Sequence, residues 1–191
     1  MKRALLFTAA AVCCMQAHAQ FPYFLQDHNG NNINYKVPVD LEFDGSSTVY
    51  SLHSCSSGPG LISTQYSAGT GSVLNVSYIT RGNASLRPVR VRTLGTNYYV
   101  LFNSVSGAGV AGYCLVSLTS GNVVNWSYAL VPPASASRNA VDFIIDGSNT
   151  AYILSTNTAL GTNQSDVAAT CVTNLTGAPT LSWEHVYQNT S

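Results

Sequence analysis

With 191 residues, 46% of them hydrophobic, the chain is long enough for one domain with a substantial core. Only 8% of the residues are charged, and eight basic side chains balance eight acidic ones. The basic footprint of nucleic-acid recognition is therefore missing, and we expect no nucleic-acid partner.

The first 19 residues have the pattern of a secretory signal peptide. Lys2 and Arg3 precede an apolar stretch over residues 4–15, and Ala17-His18-Ala19 provides small residues before a cleavage point. This apolar stretch is too short to span a bilayer, and no later stretch is long and apolar enough to do so. We expect cleavage after Ala19 and a protein that is secreted, periplasmic or held at the cell surface.

Residues 20–36 form a short segment between the leader and the rest of the chain. The part from Phe21 to Tyr35 is long enough for one closing strand but too short for a further repeat. Its stretch 27–32 resembles a calcium loop, yet Asn32 and Pro38 stand where such a loop needs a glycine and a bidentate acid. We predict a polar turn there and no metal site.

The remaining chain, residues 37–191, is a tandem repeat. The stretches "PVDLEFDG" (38–45), "PVRVRTLG" (88–95) and "AVDFIIDG" (140–147) align without a gap, at offsets of 50 and 52 residues. Tyrosines and leucines stay in register beyond each glycine: Tyr50, Tyr99 and Tyr152, and Leu52, Leu101 and Leu154. The repeats span residues 37–87, 88–138 and 139–191.

Each repeat is predicted to form four short strands. In the third, apolar and polar residues alternate over 141–145, 151–155, 167–174 and 180–187, with turn residues between them. Asp-Gly at 44–45 and at 146–147 is turn chemistry, because glycine tolerates positive φ. A four-stranded unit at this spacing is typical of a propeller blade. We therefore predict an all-β, propeller-type domain of three four-stranded blades.

The repeats also resemble known families. "DVAATCVTNLTGAPTLSW" (166–183) resembles bacterial β-propeller repeats of the seven-bladed type. "YCLVSLTSGNVVNWSY" (113–128) is similar to the repeat of quinoprotein-like propellers, with Gly121 and Trp126 matching its glycine and tryptophan. Val76 replaces the tryptophan in the first repeat, and Leu94 replaces the aspartate of Asp44 and Asp146 in the second. The resemblance implies a fold and an exported setting, not a reaction.

Five of the few charged residues share one part of the repeat. They lie on the first strand of each unit: Asp40, Glu42, Arg90, Arg92 and Asp142. Since the first strand of a blade lies nearest the central axis, acid, base and acid should meet there, with Arg90 reaching Asp40 or Asp142. The cluster is either a salt-bridge belt that holds blades together or a ligand site.

Two tryptophans, Trp126 and Trp183, occupy equivalent places on fourth strands. They are either sugar-stacking platforms or contacts between blades, and the large apolar area of an indole favours packing. Cys114 and Cys171 are predicted to be equivalent, too far apart for a disulfide, and therefore buried thiols. Because Cys55 makes the number odd after cleavage, the pairing stays open.

We find no catalytic motif in the sequence. "GAGVAG" (107–112) has the spacing of a dinucleotide loop, but a predicted strand follows it instead of a helix, so we expect no cofactor. The expected function is an exported, non-catalytic binding or scaffold module with a protein or glycan partner. The alternatives are a lectin and a fragment of a propeller enzyme with its site at the axis. Three blades are too few to close a ring, which predicts self-association or a longer parent chain.

Overall fold

The computed structural model describes residues 35–55, 61–80, 84–105, 111–121, 123–132, 136–159 and 165–188, which all belong to one compact unit. The predicted signal peptide, the segment from Phe21, the turn at 27–32 and most of "GAGVAG" lie outside the described residues, as does the side chain of Cys55. Within the described ranges no helix is long and apolar enough to cross a membrane.

Twelve strands account for most of the described residues, and they confirm the predicted all-β, propeller-type fold of three four-stranded units. Each unit is an antiparallel meander in which strands consecutive in sequence are neighbours in the sheet. Blade 1 contains β1 (Tyr35–Phe43), β2 (Thr48–Cys55), β3 (Leu61–Ser67) and β4 (Val73–Ile79). Blade 2 contains β5 (Ser85–Leu94), β6 (Asn97–Val105), β7 (Ala111–Thr119) and β8 (Val124–Leu130). Blade 3 contains β9 (Ala136–Ile145), β10 (Ala151–Ala159), β11 (Ser165–Thr173) and β12 (Thr180–Tyr187).

Some strands are longer than the alternation of apolar residues predicts. β9 begins at Ala136 instead of residue 141, and β10 continues to Ala159 instead of ending at Ser155. The two extensions pair with each other, from Ser155 opposite Ala140 to Ala159 opposite Ala136. Their residues are largely small and polar, so backbone pairing forms a strand there without the apolar pattern that would reveal it.

The hairpin between the first two strands is closed by an aspartate in blades 1 and 3. Asp44 Oδ1 accepts hydrogen bonds from the backbone N–H groups of Ser46, Ser47 and Thr48 at 2.8, 2.9 and 3.0 Å. Burial alone would raise the pKa of Asp44, but these hydrogen bonds lower it from 3.8 to about 2. In blade 2, Leu94 has no carboxylate, and the turn shortens to two residues around Gly95, whose φ is +61°.

Blade 2 lies between the other two and buries both of its sides. Because side chains alternate along a strand, Tyr98, Val100 and Phe102 face blade 1 while Tyr99 and Leu101 face blade 3. On the first side the rings of Tyr50 and Tyr98 lie 4.7 Å apart between centroids. On the second side the core continues into blade 3 through Ala140, Phe143, Ala151, Ile153 and Val172.

The conserved spacing of tyrosine and leucine in the three repeats defines the side of each blade that meets the next one. Tyr50 and Leu52 pack against blade 2, and Tyr99 and Leu101 pack against blade 3. Their counterparts in blade 3, Tyr152 and Leu154, are 38% and 44% exposed. Among the described residues no further blade covers them.

We call this side of blade 3 the open face. Strand register places its large apolar side chains together: Ile144, Tyr152, Leu154, Val167, Trp183 and Tyr187. All six are exposed. A contiguous exposed apolar surface of this kind usually marks an interaction site.

Equivalent leucines on blades 2 and 3 should therefore differ in their contribution to stability. Leu101→Ala should lower the free energy of unfolding by about 2 to 5 kcal/mol, because it leaves a cavity between two blades. The matched change Leu154→Ala should cost less than about 1 kcal/mol, because that side chain is already half in water. Urea unfolding of the two purified variants measures both values, and equal losses would contradict this assignment of the open face.

Candidate functional site

The five charged residues predicted to meet at the axis are brought together by the first strands of the three blades. Arg90 on β5 lies between an acid of each neighbouring blade. Its Nη1 is 3.1 Å from Asp40 Oδ1, and its Nε is 2.8 Å from Asp142 Oδ1. The prediction that Arg90 reaches an acid of a neighbouring repeat is confirmed, and it reaches both.

Asp40 is the most buried acid of the cluster, with a side chain 10% exposed. Besides Arg90, its carboxylate accepts a hydrogen bond from Arg92 Nη1 at 3.0 Å and one from the backbone N–H of Val91 at 2.9 Å. Both of its oxygens are therefore used. Since all three donors belong to β5, Asp40 fixes the position of blade 1 against blade 2.

Arg92 makes contacts with all three blades. Its Nη1 lies 3.6 Å from Glu42 Oε2 of blade 1, and its Nη2 lies 3.7 Å from Asp142 Oδ1 of blade 3. The guanidinium also lies over the ring of Phe143, 5.9 Å from its centroid, in cation–π geometry. These contacts hold the side chain against protein groups on several sides.

Asp142 and Arg90 stay charged near neutral pH. Burial alone would raise the pKa of Asp142, but hydrogen bonds from Arg90 and from the N–H of Phe143 lower it below 3.8. The pKa of Arg90 is raised, chiefly by its hydrogen bond to Asp142. Because the folded-state pKa of Asp142 is depressed, its contribution to stability is present above pH 3.8 and is lost as the pH falls through the folded value.

Mutual pairing therefore occupies most of the polar atoms of this cluster. Three carboxylates face two guanidinium groups, which leaves an excess of one negative charge. The arrangement is that of a belt between blades, and a role of these five residues in ligand binding stays a prediction. Asp142 differs from Asp40 because all of its contacts with described residues use Oδ1.

The two tryptophans have different surroundings. Trp126 is partly buried between blades 2 and 3, where its Nε1 donates a 2.8 Å hydrogen bond to the carbonyl oxygen of Leu175 and its ring lies 5.9 Å from Tyr99. Packing is thus the correct interpretation of Trp126. Trp183 is 39% exposed on the open face, so its interpretation as a core residue is wrong for this chain. The reason is that the packing partner would belong to a following blade.

Aromatic neighbours surround Trp183 on the open face. Its ring centroid lies 6.3 Å from that of Tyr152 and 5.1 Å from that of His185. Next to this group a groove of about 300 Å³ runs along the face, lined by Asp142, Phe143, Ile144, Tyr152, Ile153, Leu154 and Ala169. The groove is apolar apart from Asp142, which lies at its axial end.

Strand register corrects two equivalences predicted from the sequence. In blade 2 the residues opposite one another are Tyr99, Ser117 and Trp126, and in blade 1 they are Tyr50, Gln65 and Asn75. Asn75, not Val76, therefore occupies the tryptophan position. The β-bulge between the third and fourth strands lies at the same register position in both blades, so the shift comes from connections of different length between the paired strands.

The two cysteines are not equivalent, contrary to the prediction. Cys171 lies opposite Tyr152 on the open face, whereas Cys114 lies opposite Phe102 and faces blade 1. Both are buried thiols, as predicted, and neither forms a disulfide with a described residue. Burial raises the pKa of the Cys171 thiol, so it stays protonated at neutral pH.

A second charged group lies between blades 2 and 3 and was not predicted from the sequence. Buried Arg138 pairs with Glu184, which accepts a hydrogen bond from Thr170 Oγ1, and Thr170 in turn accepts one from Tyr113 at 2.9 Å. Burial raises the pKa of Tyr113 to about 12, so its hydroxyl remains a donor. Because Arg138 and Glu184 are 46 positions apart, the sequence does not show that they pair. The only indication was that charged residues are scarce in this chain.

Within the described part of the chain, no group of three or more His, Cys, Asp or Glu side chains is placed to hold a metal ion. The chemistry available there consists of paired charges, aromatic rings and an apolar face.

Comparisons with known proteins add little to this geometry. No protein-family model matches the sequence, and no curated protein matches it either. Among solved structures, the chain is similar to a subtype N10 neuraminidase-like protein of A/little yellow-shouldered bat/Guatemala/060/2010, at 11% identity and a TM-score of 0.41. The match covers 78% of this chain and 59% of that one. At this TM-score the likeness carries no argument, so the fold assignment rests on repeats, topology and blade packing.

The two aspartates of the belt should differ in their effect on stability. Asp40→Asn should lower the free energy of unfolding by about 1 to 3 kcal/mol, because it removes the charge that two guanidinium groups and a backbone N–H share. Asp142→Asn should cost less than about 1 kcal/mol, because that carboxylate is 41% exposed. Thermal and urea unfolding at neutral pH measure the pair. A larger loss for Asp142→Asn would contradict the belt as described.

Proposed function

We propose that the protein is an exported, non-catalytic propeller-type module that binds a protein partner through the open face of blade 3. The observation that carries the proposal is the exposure of Tyr152 and Leu154, at positions that are buried in blades 1 and 2. The equivalent side chains of blades 1 and 2 are each covered by the neighbouring blade. The surface around Tyr152 and Leu154 is therefore suited to a contact of the same kind. The open face is thus an interface without its partner.

The state of the charged groups supports a binding role over a catalytic one. General acid–base catalysis needs a titratable group that is free to meet a substrate. The axial acids are instead paired with Arg90 and Arg92, and Glu184 is paired with Arg138. A fragment of a propeller enzyme, with substrate at Asp40, Glu42, Arg90, Arg92 and Asp142, would have to break this belt.

Export is part of the proposal and is supported by the sequence alone. The basic start, the apolar stretch over 4–15 and Ala17-His18-Ala19 are the features that a signal peptidase recognises. Sequencing the N-terminus of the exported protein should give Gln20 as its first residue.

A second candidate function is carbohydrate binding, which the exposure of Trp183 favours. An indole ring with a free face, flanked by Tyr152 and His185, is suited to stacking on a sugar ring. The two functions use the same face in different ways. Sugar stacking needs the ring of Trp183, whereas a protein interface needs the whole apolar surface.

The open face can be monitored directly, because the chain has only two tryptophans. In a Trp126→Phe background, acrylamide quenching of the remaining fluorescence reports the accessibility of Trp183. We expect light scattering to show association of the full chain that grows with concentration, with quenching of Trp183 falling in parallel. Leu154→Asp should abolish both effects while the melting temperature stays within a few degrees, since Leu154 is exposed in the single chain.

Val123→Asp is the matched control for that variant. Val123 is more exposed than Leu154 but lies in the turn between β7 and β8, away from the open face, so its substitution should leave association unchanged. A chain that stays monomeric at every concentration, with Trp183 freely quenched, would refute the proposal that this face drives binding.

Sugar binding is tested in the same background. If the lectin alternative holds, a glycan from an array should shift the emission of Trp183, Trp183→Ala should abolish binding, and Leu154→Asp should spare it. Unchanged emission across the array would remove the alternative.

A further inference from the structure

The axial end of the open face carries an acid whose counterpart in blade 1 shows what a following blade supplies. Asp40 receives the backbone N–H of Val91 at 2.9 Å on Oδ2, and guanidinium groups of Arg90 and Arg92 on its two oxygens. All three donors come from β5, the first strand of the next blade. A first strand of the sequence Arg-Val-Arg is therefore the complement of this aspartate.

Asp142 holds the corresponding place in blade 3, but half of its carboxylate is unused. Its Oδ1 accepts from Arg90 Nε and from the N–H of Phe143, both at 2.8 Å. Its Oδ2 has no hydrogen-bond partner among the described residues, and the side chain is 41% exposed. In blade 1 the equivalent oxygen accepts a backbone N–H and an arginine of the next blade.

The apolar part of the open face repeats the surface that blade 1 presents to blade 2. Tyr152 and Leu154 correspond to Tyr50 and Leu52, which pack against Tyr98, Val100 and Phe102. The fitting partner is thus a four-stranded sheet with an aromatic and aliphatic second strand. A contact of this kind would repeat the interface between blades 1 and 2 that is already present in the molecule.

A second copy of this chain, offering its blade 1, is a poorer complement because of the charge at the axis. Its first strand carries Asp40 and Glu42 where β5 carries Arg90 and Arg92, so that like charges would meet beside Asp142. Charge therefore selects against this contact.

We propose that the open face of blade 3 binds a propeller blade whose first strand carries Arg or Lys on both sides of an apolar residue, with a basic side chain and a backbone N–H meeting Asp142. This inference rests on the proposed function and adds the chemistry of its partner. Specificity comes from the charge at the axis, and the apolar face supplies the area.

The test extends the full chain by the blade that has this chemistry. Residues 80–132 are duplicated and joined directly after Tyr187, which reproduces the spacing between β4 and β5. Leu101→Asp in the duplicate keeps its own outward side soluble, and Trp126→Phe in both copies leaves Trp183 as the only tryptophan. The matched control carries Arg90→Asp and Arg92→Glu in the duplicate, the pattern of blade 1.

The basic duplicate should protect Trp183 from acrylamide. The ratio of docked to undocked chain should be roughly two- to fivefold lower for the acidic control, which corresponds to one partly exposed ion pair. Asp142→Asn should remove most of this difference. Circular dichroism and a cooperative melt verify that both duplicates are folded, and a duplicate on the Leu154→Asp chain gives the undocked reference.

The other possible results distinguish failure of this inference from failure of the proposed function. Equal protection by both duplicates would show that the face binds blades without charge selection, which overturns this inference and leaves the proposed function standing. Protection by neither folded duplicate would refute both. Weak association of the unextended chain that the basic duplicate suppresses is the expected result. Association of the unextended chain that protects Trp183 as completely as the basic duplicate does would identify a second copy as the preferred occupant and overturn the inference.

Discussion

The burial of both sides of a four-stranded sheet is the constraint on which the rest of this structure depends. A single antiparallel meander has two sides, and its backbone hydrogen bonds do nothing to remove either side from water. Blade 2 satisfies the requirement completely, with Tyr98 and Tyr99, neighbours in sequence, buried against different blades. Blade 3 satisfies it on one side only. The exposed aromatic and aliphatic residues of the open face follow from that difference alone.

Polar contacts between the blades determine how the apolar sides are aligned. Apolar packing is not directional, so two sheets could slide by one residue at little cost. The belt at the axis prevents this, because Asp40 accepts a backbone N–H of β5 as well as two guanidinium groups. Between blades 2 and 3 the indole of Trp126, which donates to Leu175, and the hydroxyl of Tyr113, which donates to Thr170, act in the same way. Five of the few charged residues of the chain therefore lie where they fix the position of one blade against the next.

The fold could be predicted from the sequence because the same residue types perform the same structural role in each copy of the repeat. The stretches beginning at Pro38, Pro88 and Ala140 contain the axial charges and lead into the turn, and a tyrosine follows the turn in each repeat. All three features appear in the same place in each blade. The belt was predictable for the same reason, because residues that align in the three repeats lie at equivalent positions around the axis. What a belt residue binds, if anything, is not contained in that alignment.

Other features depend on information that no repeat alignment holds. The position of Asn75 opposite Gln65 depends on the lengths of the connections between paired strands, which an ungapped alignment of the repeats does not contain. The exposure of Trp183 depends on whether another sheet lies beside it, which is not a property of the repeat itself. The pairing of Arg138 with Glu184 joins the first and last strands of one blade, and its residues have no counterpart in the other two.

The acids on the first strand of blade 1 have a consequence for how copies of the molecule can assemble. When one end of an array fits the other end of the next copy, the contact either closes into a ring or continues as a filament. Here β1 carries Asp40 and Glu42 where β5 carries Arg90 and Arg92. Two copies joined from blade 3 to blade 1 would bring these acids to Asp142, so the repulsion of like charges opposes end-to-end polymerisation.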